Sequence, residues 1–259
     1  MITKQVRTKA IIVSMLTLMG ISYTSLSNIP QVHAEVTTSA KENVQNIREV
    51  ALNKKLNLKQ NVIIFDGTEA DFTEAKNMVN RIKKINPVLL ETMAKNGTLI
   101  KLTNKKMTDT PEYQWLKGVI PRGWEGITNA DGEQMTWDDV PGLGSTPGKP
   151  VVVRIGYSAT GMGHSAINLE LHEIGHAIDR AALNNFSHSK EFTDIQKLEQ
   201  ESFLGGQYFS NPEEYFAEAF AYYYLNNDTK NELATKAPAT YKIIKETIKK
   251  TAALNSKSV

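Results

Sequence analysis

Two histidines and one glutamate stand at a spacing that can perform metal chemistry. The stretch Leu169–Asp179 reads Leu-Glu-Leu-His-Glu-Ile-Gly-His-Ala-Ile-Asp, so that His172 and His176 are four residues apart. On a helix, residues four apart lie on one face, a single turn from each other. Two neutral imidazoles in this arrangement suit a tetrahedral zinc ion. Glu173 is rotated away from the pair and can reach a metal-bound water, which is the general-base position of a zinc peptidase.

The flanking residues argue against the simpler interpretation, in which two core histidines merely have hydrogen-bond partners. Five apolar residues in the stretch predict a helix that is buried over much of its circumference: Leu169, Leu171, Ile174, Ala177 and Ile178. A buried helix that keeps two histidines and a glutamate must give them partners. We therefore expect one Zn²⁺ ion per chain, bound by His172 and His176, with Glu173 as the base.

A third protein ligand must come from elsewhere in the chain, because catalytic zinc sites usually have three. An extended motif with another histidine six residues after His176 is excluded, since Ala182 is at that position. The segment Asn-Pro-Glu-Glu-Tyr-Phe-Ala-Glu-Ala-Phe, from Asn211 onward, predicts an apolar helix. Glu214 and Glu218 are one turn apart on it, so one can bind zinc while the other orients a ligand histidine. Spacing does not decide which glutamate does which, and a pair neutralised by Lys or Arg is the alternative.

The chain begins with the features of a secretory signal peptide. Three basic residues precede the apolar stretch 10–21, and Val32-His33-Ala34 fits a cleavage site, so we predict removal of residues 1–34. An uncleaved anchor is the alternative. Removal of three basic and no acidic residues changes the formal charge from +2 to −1. We expect a secreted, extracellular protein with no nucleic-acid partner and no stable membrane association after cleavage.

The remaining chain predicts a single α+β domain over 35–259. It has no cysteine, so its stability must come from its core, or from its core plus a metal. We predict an α/β lobe at 35–182, which carries the zinc helix on a small mixed sheet, and an all-helical lobe at 183–259. Apolar periodicity predicts strands at 61–66, 98–103 and 151–157. It predicts helices at 39–54, 68–85, 87–97, 169–179, 187–202 and from 211 onward.

Two segments lack a regular pattern. Between 121 and 141, a turn signal at 129–132 separates two strand-like arms that carry Trp124 and Trp137, for which cross-strand packing is the usual role. The glycine-rich segment Ser158–Ser165 is either a mobile lid or a plain connector. His164 in this segment is not expected to bind metal, because a lone loop histidine is usually solvated.

These motifs together resemble a known family. His-Glu-Ile-Gly-His-Ala-Ile-Asp, followed by Glu-Tyr-Phe-Ala-Glu-Ala-Phe, is similar to the catalytic domain of anthrax lethal factor. Pro-Arg-Gly-Trp-Glu … Thr-Trp-Asp-Asp-Val-Pro-Gly and Gly-Tyr-Ser … Gly-His … Ile-Asn-Leu-Glu-Leu-His-Glu are more closely similar to the small secreted bacterial Pro-Pro endopeptidases. The similarity covers most of residues 60–225.

The resemblance implies a zincin-like fold and gives roles to individual residues. It makes Glu214 the metal ligand and Glu218 the supporting acid. It places a catalytic tyrosine at Tyr208, with Tyr215 as the alternative. It puts Trp124 against the substrate, with Arg122 beside it, and this reverses the packing interpretation of Trp124.

The resemblance also implies a substrate. We expect a monomeric zinc metalloendopeptidase that cleaves Pro-Pro bonds in proline-rich segments of cell-surface or secreted proteins. One alternative is a lethal-factor-like toxin protease acting on host signalling proteins, although the chain has no obvious delivery domain. The other is a non-catalytic surface-binding module, against which the intact His172, Glu173 and His176 argue.

Overall fold

The computed structural model describes residues 29–129, 131–144 and 148–255. By its contacts the chain divides into two units, Met1–Asn43 and Val44–Val259. The described part of the first unit is the beginning of helix α1 (Ile29–Leu56), and all other elements belong to the second unit. Most of the predicted signal peptide lies outside the described residues, so its removal remains a prediction. None of the helices described has the length and apolar content needed to cross a bilayer.

A small mixed sheet forms the centre of the second unit. Its strands are β1 (Ile63–Asp66), β2 (Ile100–Thr103), β3 (Gly142–Leu143) and β4 (Val151–Arg154). They lie in the order β1-β2-β4-β3, where the first three are parallel and β3 is antiparallel to β4 at one edge. Apolar side chains on the three parallel strands are buried, apart from the partly buried Ile64, as expected for a sheet covered by helices.

The part of helix α1 that belongs to the second unit closes the other edge of the sheet. The side chain of Asn53 accepts hydrogen bonds from the backbone N–H groups of Val62 and Ile63, both at 2.8 Å, and donates one to the carbonyl of Ile63 at 2.8 Å. One turn earlier, Glu49 accepts from the N–H of Phe65 at 2.9 Å. These side chains satisfy backbone groups that an exposed edge strand would offer to another chain.

Among the described residues, seven further helices surround the sheet, and the mixed α+β architecture is confirmed. They are α2 (Phe72–Ile82), α3 (Pro87–Lys95), α4 (Leu169–Ala182), α5 (Lys190–Phe203), α6 (Pro212–Leu225), α7 (Asn227–Lys236) and α8 (Pro238–Asn255). The Asn-Pro pairs begin α3 and α6 as predicted, because Asn86 accepts from the N–H of Val88 and Asn211 accepts from that of Glu213. The division into lobes at residue 182 remains a prediction.

Two local predictions are wrong. Helix α2 begins at Phe72 rather than after Thr68, because the Asp71 carboxylate accepts from both the N–H and the hydroxyl of Thr68 and forms a turn there. The described part of 121–141 contains no pair of strands. Its antiparallel pairing is limited to one bridge between Thr128 and Gln134, and a 3₁₀ turn at Trp137–Asp139 follows. Side chain to backbone bonds, such as those of Gln134, compete with strand pairing here.

Candidate active site

Helix α4 carries the two histidines of the motif. Its N-terminus is capped by Asn168, whose side chain accepts from the N–H of Leu171 at 3.1 Å. His172 and His176 are buried on the face that looks into a cleft. The predicted helix is confirmed and continues three residues beyond Asp179, to Ala182.

A glycine inside the motif lets α4 approach α6. A Cβ atom at Gly175 would lie 3.1 Å from the Cα and 3.2 Å from the carbonyl oxygen of Ala217. Such contacts are tighter than ordinary packing allows, so a larger residue would push the helices apart. This close approach brings Glu214 and Glu218, one turn apart on α6, to the two histidines.

Three side chains converge on one point. The Nε2 atoms of His172 and His176 are 3.2 Å apart, and they lie 3.2 and 3.3 Å from Oε2 of Glu214. Ligands placed about 2.0–2.1 Å from a tetrahedral zinc ion would be about 3.3–3.4 Å from one another. The donor set of two imidazole nitrogens and one carboxylate oxygen is that of a catalytic zinc site. Three acceptor atoms this close repel one another unless a proton or a cation lies between them, and their types and separations fit the metal.

Glu218 supports this cluster from behind. Its Oε2 lies 2.8 Å from Nδ1 of His172, and its Oε1 accepts from the N–H of Ile167 at 2.7 Å. A carboxylate on Nδ1 fixes the orientation of the imidazole and leaves Nε2 as the metal-binding atom. Burial lowers the pKa of His172, but Glu214 and Glu218 raise it overall to about 10. The carboxylates of Glu214 and Glu218 therefore favour a positive charge at His172.

Glu173 lies beside the cluster and is not part of it. Its side chain faces the edge strand, where a Cβ atom at Gly142 would lie 3.0 Å from its Cγ. A Cβ atom at Gly144 would meet the Glu173 carbonyl at 2.8 Å and the Cβ of His176 at 2.6 Å. Burial raises the pKa of the Glu173 carboxyl, and the two histidines oppose this in part. A carboxyl with a raised pKa is suited to exchange protons near neutral pH.

The sequence analysis predicted no strand at 142–143 and gave no role to Gly142 or Gly144. They allow strand β3 to lie directly against the histidine helix. The only signal in the sequence was the pair of glycines in Pro-Gly-Leu-Gly, and glycine in such a loop is ordinarily a turn residue.

The structure gives the two tyrosine candidates different environments. Tyr208, in a 3₁₀ turn before α6, donates a hydrogen bond to Oε2 of Glu214 at 2.5 Å while half of its side chain is exposed. Tyr215 is fully buried, and its hydroxyl pairs with that of Thr240 on α8 at 3.0 Å. Burial and Glu214 raise the pKa of Tyr208, so its hydroxyl keeps the proton that it donates.

An aromatic cleft of about 900 Å³ opens onto the cluster. All three tryptophans of the chain, Trp115, Trp124 and Trp137, line it together with Arg122. His164 also lines the cleft, but its Nε2 lies 2.7 Å from the carbonyl of Tyr157 and it does not belong to the cluster of His172, His176 and Glu214. Whether Ser158–Ser165 moves as a lid remains a prediction.

A buried ion pair secures the first turn of α4. Glu170 is fully buried, and its Oε1 accepts from Nε of Arg81 on α2. Nη2 of the same guanidinium donates to Glu74 at 2.9 Å and to the Ser158 hydroxyl at 2.8 Å. One cation thus connects α2, the histidine helix and the start of the glycine-rich segment.

Arg81→Met is expected to lower the free energy of unfolding by about 3 kcal/mol, because it leaves the Glu170 carboxylate buried without a cation. The measurement is the urea midpoint of the purified protein. Arg48→Met is the matched control, since its partner Glu69 is 90% exposed and such pairs contribute less than about 1 kcal/mol. Equal effects of the two substitutions would contradict the assignment.

Comparisons with known proteins identify a family of peptidases to which this chain is similar. The family described as anthrax toxin lethal factor, N- and C-terminal domain, matches residues 46–247. A Pro-Pro endopeptidase of Clostridioides difficile is 46% identical over 189 residues, which is 73% of this chain and 82% of the relative. A Pro-Pro endopeptidase of Paenibacillus alvei is 40% identical over 185 residues, with 71% and 81% covered. The solved structure of PPEP-2 from Paenibacillus alvei has a TM-score of 0.66 at 39% identity, over 74% of this chain and 98% of that one.

Proposed function

Because the chain belongs to the family of the anthrax toxin lethal factor and the Pro-Pro endopeptidases, we propose that it is a zinc metalloendopeptidase that hydrolyses Pro-Pro bonds in proline-rich protein segments. Membership of this family makes it a peptidase. The zinc, the assignment of individual residues and the bond cleaved are our proposal. The observation that carries it is the cluster of His172, His176 and Glu214 at the base of an aromatic cleft.

We assign the metal to these three residues, with Glu218 orienting His172. A zinc ion held there would polarise the scissile carbonyl and lower the pKa of a bound water toward neutrality. The antiparallel edge strand β3 beside the His-Glu-x-x-His helix supports a zincin-like fold. The fit rests on the donor types and on their separations of 3.2–3.3 Å.

Two further side chains manage protons and charge in the proposed reaction. Glu173 accepts a proton from the attacking water and returns it to the leaving nitrogen. That nitrogen belongs to a tertiary amide at a proline bond and carries no hydrogen of its own, so the proton from Glu173 completes the amine. Tyr208 turns its hydroxyl from Glu214 to the carbonyl oxygen, where negative charge develops as water attacks.

The cleft walls support proline as the preferred substrate residue. Proline-rich peptides adopt an extended polyproline II helix with no internal hydrogen bonds, and proteins bind them in grooves lined by aromatic side chains. We assign Trp124 to stacking on a substrate proline and Arg122 to the rim beside it. Residues 1–34 support an extracellular site of action, where proline-rich segments of cell-surface and secreted proteins would be the substrates.

The specificity is tested with a peptide library. We expect cleavage of peptides with two central prolines, between them, and a far larger loss when either proline becomes alanine than when a distant residue does. Trp124→Ala should lower kcat/KM about tenfold, which corresponds to about 1.4 kcal/mol of transition-state binding. Its urea midpoint should change little. A library without enrichment of proline at the cleaved bond would refute the specificity and leave a peptidase of another preference.

A further inference from the structure

The exposed indole of Trp115 has no role in the fold or in the reaction proposed above. Trp115 is 61% exposed, more than the other exposed aromatic side chain in the described part of the cleft wall, Tyr208, at 50%. It forms part of the wall of the cleft that contains the histidine cluster. Ile127, also exposed, lies in the same wall. Exposed apolar surface that continues a binding cleft is typical of a ligand contact.

The backbone that carries Trp115 is firmly held. The residue lies in the 3₁₀ turn Gln114–Leu116. On one side Tyr113 is fully buried and donates its hydroxyl to the carbonyl of Pro150 at 2.9 Å. On the other side Leu116 is buried, and both residues pack with Val152 of the central sheet. Trp115 is therefore presented from a fixed support, which reduces the entropy lost when a ligand orders it.

The cleft has room for more than the two prolines at the cleaved bond. Its volume of about 900 Å³ is near the upper end of the range of about 300–1,000 Å³ for ligand sites. A polyproline II segment rises about 3.1 Å per residue, with about three residues per turn, so one edge of it meets the wall repeatedly. Three tryptophans along one cleft match such a ligand better than a single ring contact does.

We propose that Trp115 forms an additional substrate subsite, which binds a proline or aliphatic residue outside the two prolines that flank the cleaved bond. The proposal rests on the function proposed above. The occupant is the substrate chain itself, because the indole belongs to the wall of the same cleft as the cluster of His172, His176 and Glu214. Proline gains more binding free energy there than an aliphatic residue does, because its ring stacks on the indole and its stiff backbone loses little entropy on binding.

The test compares two peptides in three variants. The short peptide has two central prolines and one non-proline residue on each side, and the long peptide extends it by Val-Pro-Val on both sides, which adds no second Pro-Pro bond. With the long peptide, Trp115→Ala should lower kcat/KM about tenfold, mainly through KM, while Trp115→Phe should keep most of the activity. With the short peptide both variants should remain within about twofold of the unchanged protein. Leu198→Ala is the control, since this side chain is 83% exposed on α5 and is not part of the cleft wall.

Equal losses on both peptides would overturn the subsite, as would no loss on either. Folding is checked by the urea midpoint, and Trp115→Gln, which also lacks the aromatic ring, replaces the alanine variant in the test if that variant unfolds. A separate binding measurement uses Glu173→Ala with the long peptide, which should bind without being cleaved. The intrinsic fluorescence of the three cleft tryptophans reports this binding.

The binding measurement separates the failure of this proposal from failure of the proposed function. If the long peptide binds about tenfold more weakly when Trp115→Ala is added, and close to unchanged when Trp115→Phe is added, the subsite is supported even where cleavage is absent. If the unchanged protein cleaves Pro-Pro peptides but extension does not improve kcat/KM, the subsite is refuted while the function stands.

Discussion

Glu173→Ala is expected to lower kcat/KM for a peptide with two central prolines about 10³- to 10⁴-fold while the protein keeps its fold and its zinc. The expectation follows from position. The clustered atoms that we assign to the metal belong to His172, His176 and Glu214, whereas the Glu173 carboxylate lies beside them against strand β3. Loss of the side chain therefore removes the proton acceptor and leaves the proposed ligand set complete.

Three measurements check this result: kcat/KM by peptide cleavage, zinc content by elemental analysis, and the urea midpoint. Glu173→Gln is the closest variant in shape and should lose activity to a similar extent, because an amide cannot accept the proton. Glu246→Ala, at an exposed position of α8, should leave all three quantities unchanged. Turnover in Glu173→Ala close to that of the unchanged protein would mean that another group is the base.

Removal of the proposed metal ligands is expected to abolish zinc retention. His172→Ala, His176→Ala and Glu214→Ala should each lose the metal on dialysis and with it all measurable cleavage, since two remaining ligands do not hold zinc against a chelator. Glu218→Ala should retain metal with an affinity or activity about ten- to a hundredfold lower, because Glu218 contacts His172 at Nδ1 and the backbone of Ile167.

Metal content itself is the primary measurement here, so the result does not depend on knowing the substrate. Zinc should also raise the melting temperature of the unchanged protein and not that of Glu214→Ala, because a ligand stabilises the state that binds it. Stoichiometric zinc in the His172→Ala/His176→Ala double variant would refute the site. A stronger loss in Glu218→Ala than in Glu214→Ala would move the third ligand one turn along α6.

Local sequence signals account for the parts of the fold that were predicted well. The Asn-Pro pairs before α3 and α6 act through hydrogen bonds within two residues, so their effect does not depend on the rest of the chain. The segment 121–141 was mispredicted for the opposite reason. Several of its apolar and aromatic residues line the cleft, and side chains such as Gln134 form hydrogen bonds with its backbone. These tertiary contacts override the alternating pattern that predicts strands.

The sequence by itself determined the chemistry that is available. The types and spacing of His172, Glu173 and His176 define one face of a helix, and Glu214 and Glu218 define one face of another. From this periodicity the metal, the base and two candidate carboxylates could be predicted. Periodicity within a helix carries no information on which residues of another helix it meets.

Only the tertiary structure decided how these faces meet. The contact of Gly175 with Ala217 sets the separation and register of α4 and α6, and so directs Glu214 to the Nε2 atoms and Glu218 to Nδ1 of His172. The tertiary structure also places the hydroxyl of Tyr208 on Glu214 and the hydroxyl of Tyr215 on Thr240 in the core. These outcomes depend on packing between residues far apart in the chain, where a shift of one helical turn would exchange the partners.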